Sequence, residues 1–568
     1  MECTSRAVGV VGLGAAGQAL LEVLHATGYD TMGIDSDLRI LARLEERFKD
    51  LPTAPSPNAR VTLDKDLRRL ERAQLVFVAT PDQAEVSFAV LKHLDTICPP
   101  GAVFVIVSAW LPLTHAALAS GRPRQTLGLR FLAPPAADSS VELLRIPTSS
   151  RAAIGALDSL VSAMGLKSTV IGARPGADAT TLVYAYLNRA VALLDSGCAT
   201  RDDIDTAMRL GCGLPFGPLE LLDRIGLDTV HARLGTPSPL LTRMVRDGAL
   251  GRKTGRGFYD HEDPKRTPET APAAVAESLP VSRLAVVGSG VMARGIAQVS
   301  AVAGLETLLV ARTAEKSTAA WEQVEQSLAR AVRRGHVTPT ARNAALERLT
   351  GTHDMAELAR YEMVIEAVTE DEAIKRRVFE SLGTLCRPGA LLATTTSSLS
   401  VTDCAIASGR PYDVVGMHFF NPAPAMRLVE VVRTEHTSAT AMSKARALCA
   451  AAGKTAVECT DHAGFIVNRL LFPFLSDAIR LLDRSDVDTE SLDHAVVHGF
   501  GHPMGPFQLL DVIGLDVALA IMRRLHQAFP VPDFAVPSMI TSMVDLGLLG
   551  RKSSLGFLRT PRTHAVLN

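Results

Sequence analysis

LAVVGSGVMARGIA, residues 284–297, joins a short apolar run to a glycine loop and then to a helix pattern. VGVVGLGAAGQAL, residues 8–20, has the same plan. The loop positions are Gly288, Gly290 and Ala293 in one stretch and Gly12, Gly14 and Gly17 in the other. Glycine lets the backbone turn tightly after a strand and approach a pyrophosphate closely. The following helix N-terminus offers N–H groups and the positive end of its dipole. One such loop is a weak signal. Two, each between a strand and a helix near the start of a domain, read as dinucleotide binding rather than as structural turns.

The pairing of loops extends along the chain. FGPLELLDRIGLD (216–228) matches MGPFQLLDVIGLD (504–516), VELLR (141–145) matches VEVVR (429–433), and GLRFLAPP (128–135) matches GMHFFNPA (416–423), all at one constant offset. The glycine loops align at a shorter offset, so the second copy carries an insertion between its loop and the later blocks. Two copies of domain length indicate a tandem duplication rather than a solenoid. Within each copy, strand and helix signals alternate, as in a parallel α/β sheet. The ends of the copies, such as TTLVYAYLNRAVALLDSG (180–197) and GFIVNRLLFPFLSDAIRLL (464–482), have helical periodicity. The expected organisation is a dinucleotide-binding domain at 6–172, a helical domain at 173–262, a Pro- and Ala-rich linker at 263–281, a second dinucleotide-binding domain at 282–460 and a second helical domain at 461–559.

The 568 residues include 47% apolar and 21% charged residues, with a formal net charge of -1. That length requires several cores. The balanced charge gives no field to draw nucleic acid or an anionic membrane. The apolar run GAVFVIVSAWLPL (101–113) is shorter than a membrane span and reads as a buried parallel strand. The N-terminal stretch lacks the regions of a signal peptide. The 8 cysteines show no zinc-ligand spacing and suit reduced thiols in a cytoplasmic protein, with no metal expected.

The strand after each loop sets the expectation for the cofactor. DTMGID ends at Asp35, an acid suited to the ribose hydroxyls of NAD. TLLVARTAEK puts Ala311 at that place, followed by Arg312. Alanine beside a guanidinium accommodates a 2′-phosphate, so NADP is set ahead of NAD for the second site and NAD is expected for the first. The alternative is that Arg312 lies on the adenine face or in solvent.

Polar residues gather where strands of the second copy should end: Ser397 in TTTSSLS, His418 and Asn421 in HFFNP, Glu430 in MRLVEVV and Asn468 in GFIVNRLL. An imidazole with a carboxylate partner is the usual general base near neutral pH. Together with GSGVMARGIA, VIEAVTEDEAIKRRVF, MGPFQLLDVIGLD and LLGRKSSLGF, these motifs run in order from Leu284 to Phe557 and resemble the 3-hydroxyacyl-CoA dehydrogenases. The resemblance implies an α/β fold class: two tandem Rossmann-type dinucleotide-binding domains, each followed by an all-helical domain of the dimerisation type. It implies that His418 takes the 3-hydroxyl proton while hydride passes from C3 to the nicotinamide. Glu430 would be its carboxylate partner. Ser397 and Asn468 would hydrogen-bond near the reacting oxygen and the thioester. Glu370, Lys375, Asn421 and Lys552 would be cofactor contacts. The insertion, EQVEQSLARAVRRGHVTPTARNAALERL (322–349), resembles the family's helical flap over CoA, with Ser327 and Arg334 as substrate contacts. For Arg334 a solvated helix face is an equal alternative. Ala293, Ala311 and Ala463 depart from the family pattern, which has glycine, an acid and proline there.

The constant offset also reads the first copy. Ser397 maps to Ala109, His418 to Arg130, Asn421 to Ala133, Asn468 to Thr180 and Lys375 to Ser87, while Glu430 keeps its match in Glu142. A guanidinium stays protonated and cannot serve as a base. The expectation is a degenerate first copy, acting as a pseudo-subunit in an intrachain pseudo-dimer, with the chemistry confined to the second copy. A hydroxyacyl carrier-protein dehydrogenase keeps the chemistry and changes the handle, since the sequence does not separate CoA from a phosphopantetheine arm. A non-catalytic dinucleotide-binding scaffold is a further alternative. A free-acid β-hydroxyacid dehydrogenase ranks last, because its lysine base has Asn468 in its place.

Overall fold

The computed structural model describes residues 7–49, 60–80, 84–107, 113–131, 140–172, 179–261, 281–397, 399–484 and 487–558. Ala109, Ala133 and all but Val281 of the expected linker lie outside the described residues. Each glycine loop follows a buried strand that opens an eight-stranded sheet. The first sheet contains β1 (Ala7–Val11), β2 (Asp30–Ile34), β3 (Val61–Asp64), β4 (Leu75–Val78), β5 (Val103–Val107), β6 (Thr126–Phe131), β7 (Ser140–Arg145) and β8 (Lys167–Gly172). The second contains β9 (Arg283–Val287), β10 (Glu306–Val310), β11 (Leu349–Thr352), β12 (Met363–Glu366), β13 (Leu391–Thr394), β14 (Val414–Phe419), β15 (Leu428–Arg433) and β16 (Thr455–Thr460).

Both sheets have one topology. The orders are β3-β2-β1-β4-β5-β6-β7-β8 and β11-β10-β9-β12-β13-β14-β15-β16. The first six strands of each are parallel, and the seventh reverses against the sixth. Val8, Val10, Phe77, Phe104 and Val105 in one sheet and Leu284, Val286, Val364 and Ile365 in the other are almost wholly buried. Parallel strands with helices on both faces need such continuous apolar runs. The strand order of the first six is that of doubly wound dinucleotide-binding sheets. It reverses beside β1 and β9, where a ligand crevice opens at the strand ends.

The compact units of the molecule do not follow the order of the two copies. One unit comprises residues 1–183, 477–516 and 537–568, and the other comprises residues 184–476 and 517–536. The first sheet thus shares a unit with helices from the end of the chain, among them Thr489–Phe500 on β7 and β8. The second sheet shares a unit with the helices that follow the first sheet. There Arg201–Cys212 packs on β15 and β16. In that second unit the Cys198 carbonyl accepts the Thr460 N–H at 2.9 Å, Ala199 pairs with Cys459, and Asp203 accepts the Glu458 N–H at 3.1 Å.

The helical segments repeat one buried device. Asp205 accepts the Leu219 and Glu220 N–H groups at 2.8 and 2.9 Å and the Tyr259 hydroxyl at 2.7 Å. Asp493 accepts the Phe507 and Gln508 N–H groups at 2.8 and 2.9 Å. Each acid satisfies the first free N–H groups of a short helix that begins with proline, Pro218–Ile225 or Pro506–Ile513. Burial pushes both carboxyls up to about 6. Among the described residues no helix is long and apolar enough to cross a membrane, and no group of His, Cys, Asp or Glu could hold a metal ion.

This exchange of helices makes a direct prediction. A protease site placed between residues 262 and 280 should yield two fragments that co-elute under native conditions and part only in denaturant. Fragments that separate at micromolar concentration would contradict it.

Candidate functional site

The glycine loops are shaped by backbone contact. Gly12 has φ +89 and Gly288 has φ +140, and a Cβ would come 2.5 Å from the Ala79 carbonyl oxygen or 2.4 Å from that of Ala367. No side chain fits either place. Gly14 and Gly290 face open space instead. They precede the helices Ala15–Ala26 and Val291–Val302, whose N-termini are thus accessible to a pyrophosphate. The third position differs between copies. A Cβ at Gly17 would meet the Gly12 carbonyl at 2.0 Å, whereas Ala293 is accommodated, fully buried, in the second loop. Asp35 accepts the Leu13 and Asp37 N–H groups at 2.7 and 2.8 Å, which directs its carboxylate into the first crevice. That crevice, of about 650 Å³, is lined by Gly12, Gly14, Asp35, Lys65 and Arg130. In the second copy Ala311 is buried and Arg312 is exposed, with no hydrogen bond or ion pair among the described residues.

The reversal of β15 against β14 places His418 opposite Glu430. Cross-strand neighbours lie within side-chain reach, and here His418 Nδ1 and Glu430 Oε2 are 2.6 Å apart. Glu430 is completely buried and His418 nearly so. The other carboxylate oxygen accepts the Ile466 and Val467 N–H groups at 3.0 and 2.9 Å, at the start of the helix Val467–Arg484. With Oε2 committed to Nδ1, the imidazole presents Nε2, which has no partner among the described residues. Phe420 and Phe465 lie against the ring, with centroids at 4.6 and 5.7 Å.

A second polar cluster lies beyond the ends of β12 and β13. Lys375 is buried, with its ammonium at 2.8 and 2.9 Å from the two oxygens of the buried Glu366 and 3.3 Å from Glu370. Thr394 donates to Glu366 at 2.7 Å. Glu370 accepts the Thr396 hydroxyl at 2.6 Å and the Ser397 N–H at 2.9 Å. Burial acts to raise the Glu370 carboxyl, but the Lys375 ammonium and these two donors outweigh it and hold it below the usual range. Asn468 Nδ2 lies 3.4 Å from the Ser397 carbonyl oxygen, so the two proposed substrate contacts are neighbours. A cleft of about 590 Å³ adjoins the cluster, lined by Glu370, Lys375, Ser400, Asp403, Ala463 and Arg524. Sequence reading missed Glu366 and Arg524, whose guanidinium donates to the Glu370 carbonyl at 3.1 Å. Glu366 sits four residues before Glu370 in the motif already singled out. Arg524 lies far along the chain and carries no local signal.

The remaining candidates fall in different places. Asn421 is exposed just past β14. Ser327 is half-buried on the helix Ala314–Arg333, and the exposed Arg334 caps it. Lys552 belongs to the unit that holds the first sheet, where it pairs with Asp516. Its counterpart Lys253 pairs with Asp228 in the unit that holds His418. In the first copy Arg130 stands opposite Glu142 and donates to it at 2.9 Å, which reproduces the register of the dyad with a guanidinium. The Glu142 carboxylate also accepts the Ala179 N–H at 3.3 Å. Ser87 is hydrogen-bonded with Thr80, and Thr180 is buried.

Comparison with known proteins finds one family in both halves of the chain. The family profile described as "3-hydroxyacyl-CoA dehydrogenase, NAD binding domain" matches residues 7–173 and 283–462, and that described as its C-terminal domain matches residues 179–261 and 464–560. A 3-hydroxybutyryl-CoA dehydrogenase of Mycobacterium tuberculosis is 42% identical over 279 residues, which is 49% of this chain and 98% of that protein. A 3-hydroxyadipyl-CoA dehydrogenase of Escherichia coli is 40% identical over 277 residues, 49% of this chain and 58% of that one. The crystal structure of a 3-hydroxybutyryl-CoA dehydrogenase from Escherichia coli shares the fold across 96% of this chain and 99% of its own, with a TM-score of 0.66 and 19% identity. The chain therefore belongs to the 3-hydroxyacyl-CoA dehydrogenases, NAD-binding oxidoreductases, and carries both domains of that family twice.

Proposed function

We propose that the second copy interconverts 3-hydroxyacyl- and 3-oxoacyl-CoA and that the first copy is catalytically silent. The observation that carries this reading is the contrast at one register: a 2.6 Å imidazole–carboxylate pair in the second copy and a guanidinium–carboxylate pair in the first. The second glycine loop suits a nicotinamide dinucleotide: its first glycine is locked by backbone contact, its second is open, and a helix N-terminus lies behind it. When bound, that cofactor accepts the hydride from C3 or returns it.

The chain's own residues handle the proton. Glu430 holds the proton on Nδ1, so Nε2 carries the lone pair that takes the hydroxyl proton at C3. The carboxylate then stabilises the imidazolium, and the two backbone N–H groups keep it from turning away. In reduction His418 Nε2 returns the proton. Ser397 and Asn468 orient the reacting oxygen and the thioester. Glu370 and Lys375, with Asn421 at the end of β14, are assigned to the cofactor's side. Lys552, expected there from the resemblance, instead belongs to the unit that holds the first sheet and is not assigned to this site. The hairpin bearing Ser327 and Arg334 is assigned to CoA, and this assignment favours CoA over a carrier-bound substrate. Ala311 with the exposed Arg312 supports NADP at the second site, and Asp35 supports NAD at the first. The exchanged helices support an intrachain pseudo-dimer.

Two experiments follow. His418→Gln should lower acetoacetyl-CoA reduction by about 10²–10⁴-fold, and Arg130→Gln should leave it within about twofold. Loss of turnover in a folded Arg130→Gln protein would overturn the assignment, as would an active His418→Gln protein. Assays with NADH and NADPH side by side should favour NADPH. Arg312→Gln should lower kcat/KM for NADPH by about tenfold, the effect of one lost charge-assisted phosphate contact, and spare NADH. Equal losses for both cofactors would contradict the NADP assignment.

A further inference from the structure

The helix Arg201–Cys212 belongs to the first copy, yet it packs on the strand that carries Glu430. Its last turn comes very close. A Cβ at Gly211 would lie 2.9 Å from Leu428 Cδ2 and 3.0 Å from Val467 Cγ2. Leu428 begins β15, two residues before Glu430. Val467 donates its own N–H to Glu430. Alanine is the better helix former, so helix propensity alone does not account for glycine here. The contact does: a Cβ would meet the mobile tip of Leu428 and the Val467 γ-methyl, and Val467 is one of the two residues whose backbone holds the carboxylate.

We propose that Gly211 of the first copy is a positioning residue for the reaction in the second copy: the bare backbone at 211 seats the helix against Leu428 and Val467 and so aims Glu430 at His418. The proposal rests on the assignment of His418 as the base. A bulkier residue at 211 displaces Val467, the Glu430 carboxylate loses its direction, and Nδ1 loses its acceptor. The degenerate copy then has a function that its own lost base does not affect, because it supplies the wall behind the working dyad.

The pH profile separates this role from a merely structural one. The titratable groups that interact with Glu430 are His418 from β14, Cys212 from the helix and Cys459 from β16. Burial, then the Glu430 charge, pushes the Cys212 thiol up to about 12 and Cys459 well above its usual value. Neither thiol ionises where an imidazole titrates. A displaced carboxylate stabilises the imidazolium formed on proton transfer less well, and the acid limb of hydroxyacyl-CoA oxidation therefore moves to lower pH.

The test uses the full chain with Gly211→Ala, Gly211→Val, Val467→Ala and the double variant Gly211→Val/Val467→Ala. Hydroxyacyl-CoA oxidation is followed against pH, with thermal melting and His418→Gln alongside. Gly211→Ala should lower kcat a few-fold and Gly211→Val by about 30-fold, with KM for cofactor within about twofold. The acid limb should move down by about half a unit or more, and Val467→Ala should restore much of the loss in the double variant. If Gly211→Val does not fold, Gly211→Ala decides by the same shift of the limb. Unchanged kcat and limb in the folded variants would overturn the proposal. So would a loss of activity with an unmoved limb that Val467→Ala does not rescue. An active His418→Gln protein would instead remove the underlying assignment of the base.

Discussion

Glu430 is a fully buried carboxylate, and the geometry of the proposed site depends on how it is satisfied. An ionised carboxylate out of contact with water is costly unless its lone pairs are met. Here one oxygen takes two backbone N–H groups at the start of the helix Val467–Arg484, and the other takes an imidazole nitrogen. The backbone donors tie the strand to the helix that leaves the dinucleotide domain. In the proposed reaction the imidazole ties the same carboxylate to the proton transfer. One side chain thus joins sheet, helix and imidazole, and each bond restricts the freedom of the other two.

The same register in the first copy shows which part of this arrangement is structural. Arg130 and Glu142 keep the cross-strand pair and the buried carboxylate, and Ala179 supplies a backbone N–H. A guanidinium satisfies the carboxylate as well as an imidazole does, but it cannot give up its proton under ordinary conditions. Fold and catalysis therefore place different demands on one position. Charge complementarity is enough for the fold, and the proposed catalysis also needs a group that can give up and take back a proton. The exchange of helices between copies adds a reason for the first copy to persist, since its segment 184–261 lies in the compact unit that holds the second sheet.

Much of this was legible in the sequence. The glycine loops, the alternation of elements and the duplicated blocks predict two doubly wound sheets, and two such sheets are present. The pairing of His418 with Glu430 was less accessible. The residues are twelve apart across a reversal in strand direction, and only the resemblance to known dehydrogenases joined them. The environment of Lys375 was hidden because a lysine near a crevice reads as a ligand contact. Its enclosure between Glu366 and Glu370 depends on where β12 ends. The exchange of helices had no sequence signature, since the two helical segments carry the same apolar pattern and each suits either sheet. Arg524 and Gly211 belong to this class also, as their contacts are made with residues far along the chain.

In the proposed reaction Glu430 keeps the proton of neutral His418 on Nδ1 and leaves Nε2 free to accept. The ¹⁵N spectrum of histidine-labelled full-length protein, recorded above the imidazole titration and assigned by the resonances absent from His418→Gln, reads that tautomer directly. A protonated Nδ1 and a bare Nε2 are the predicted result. A proton on Nε2 would contradict it.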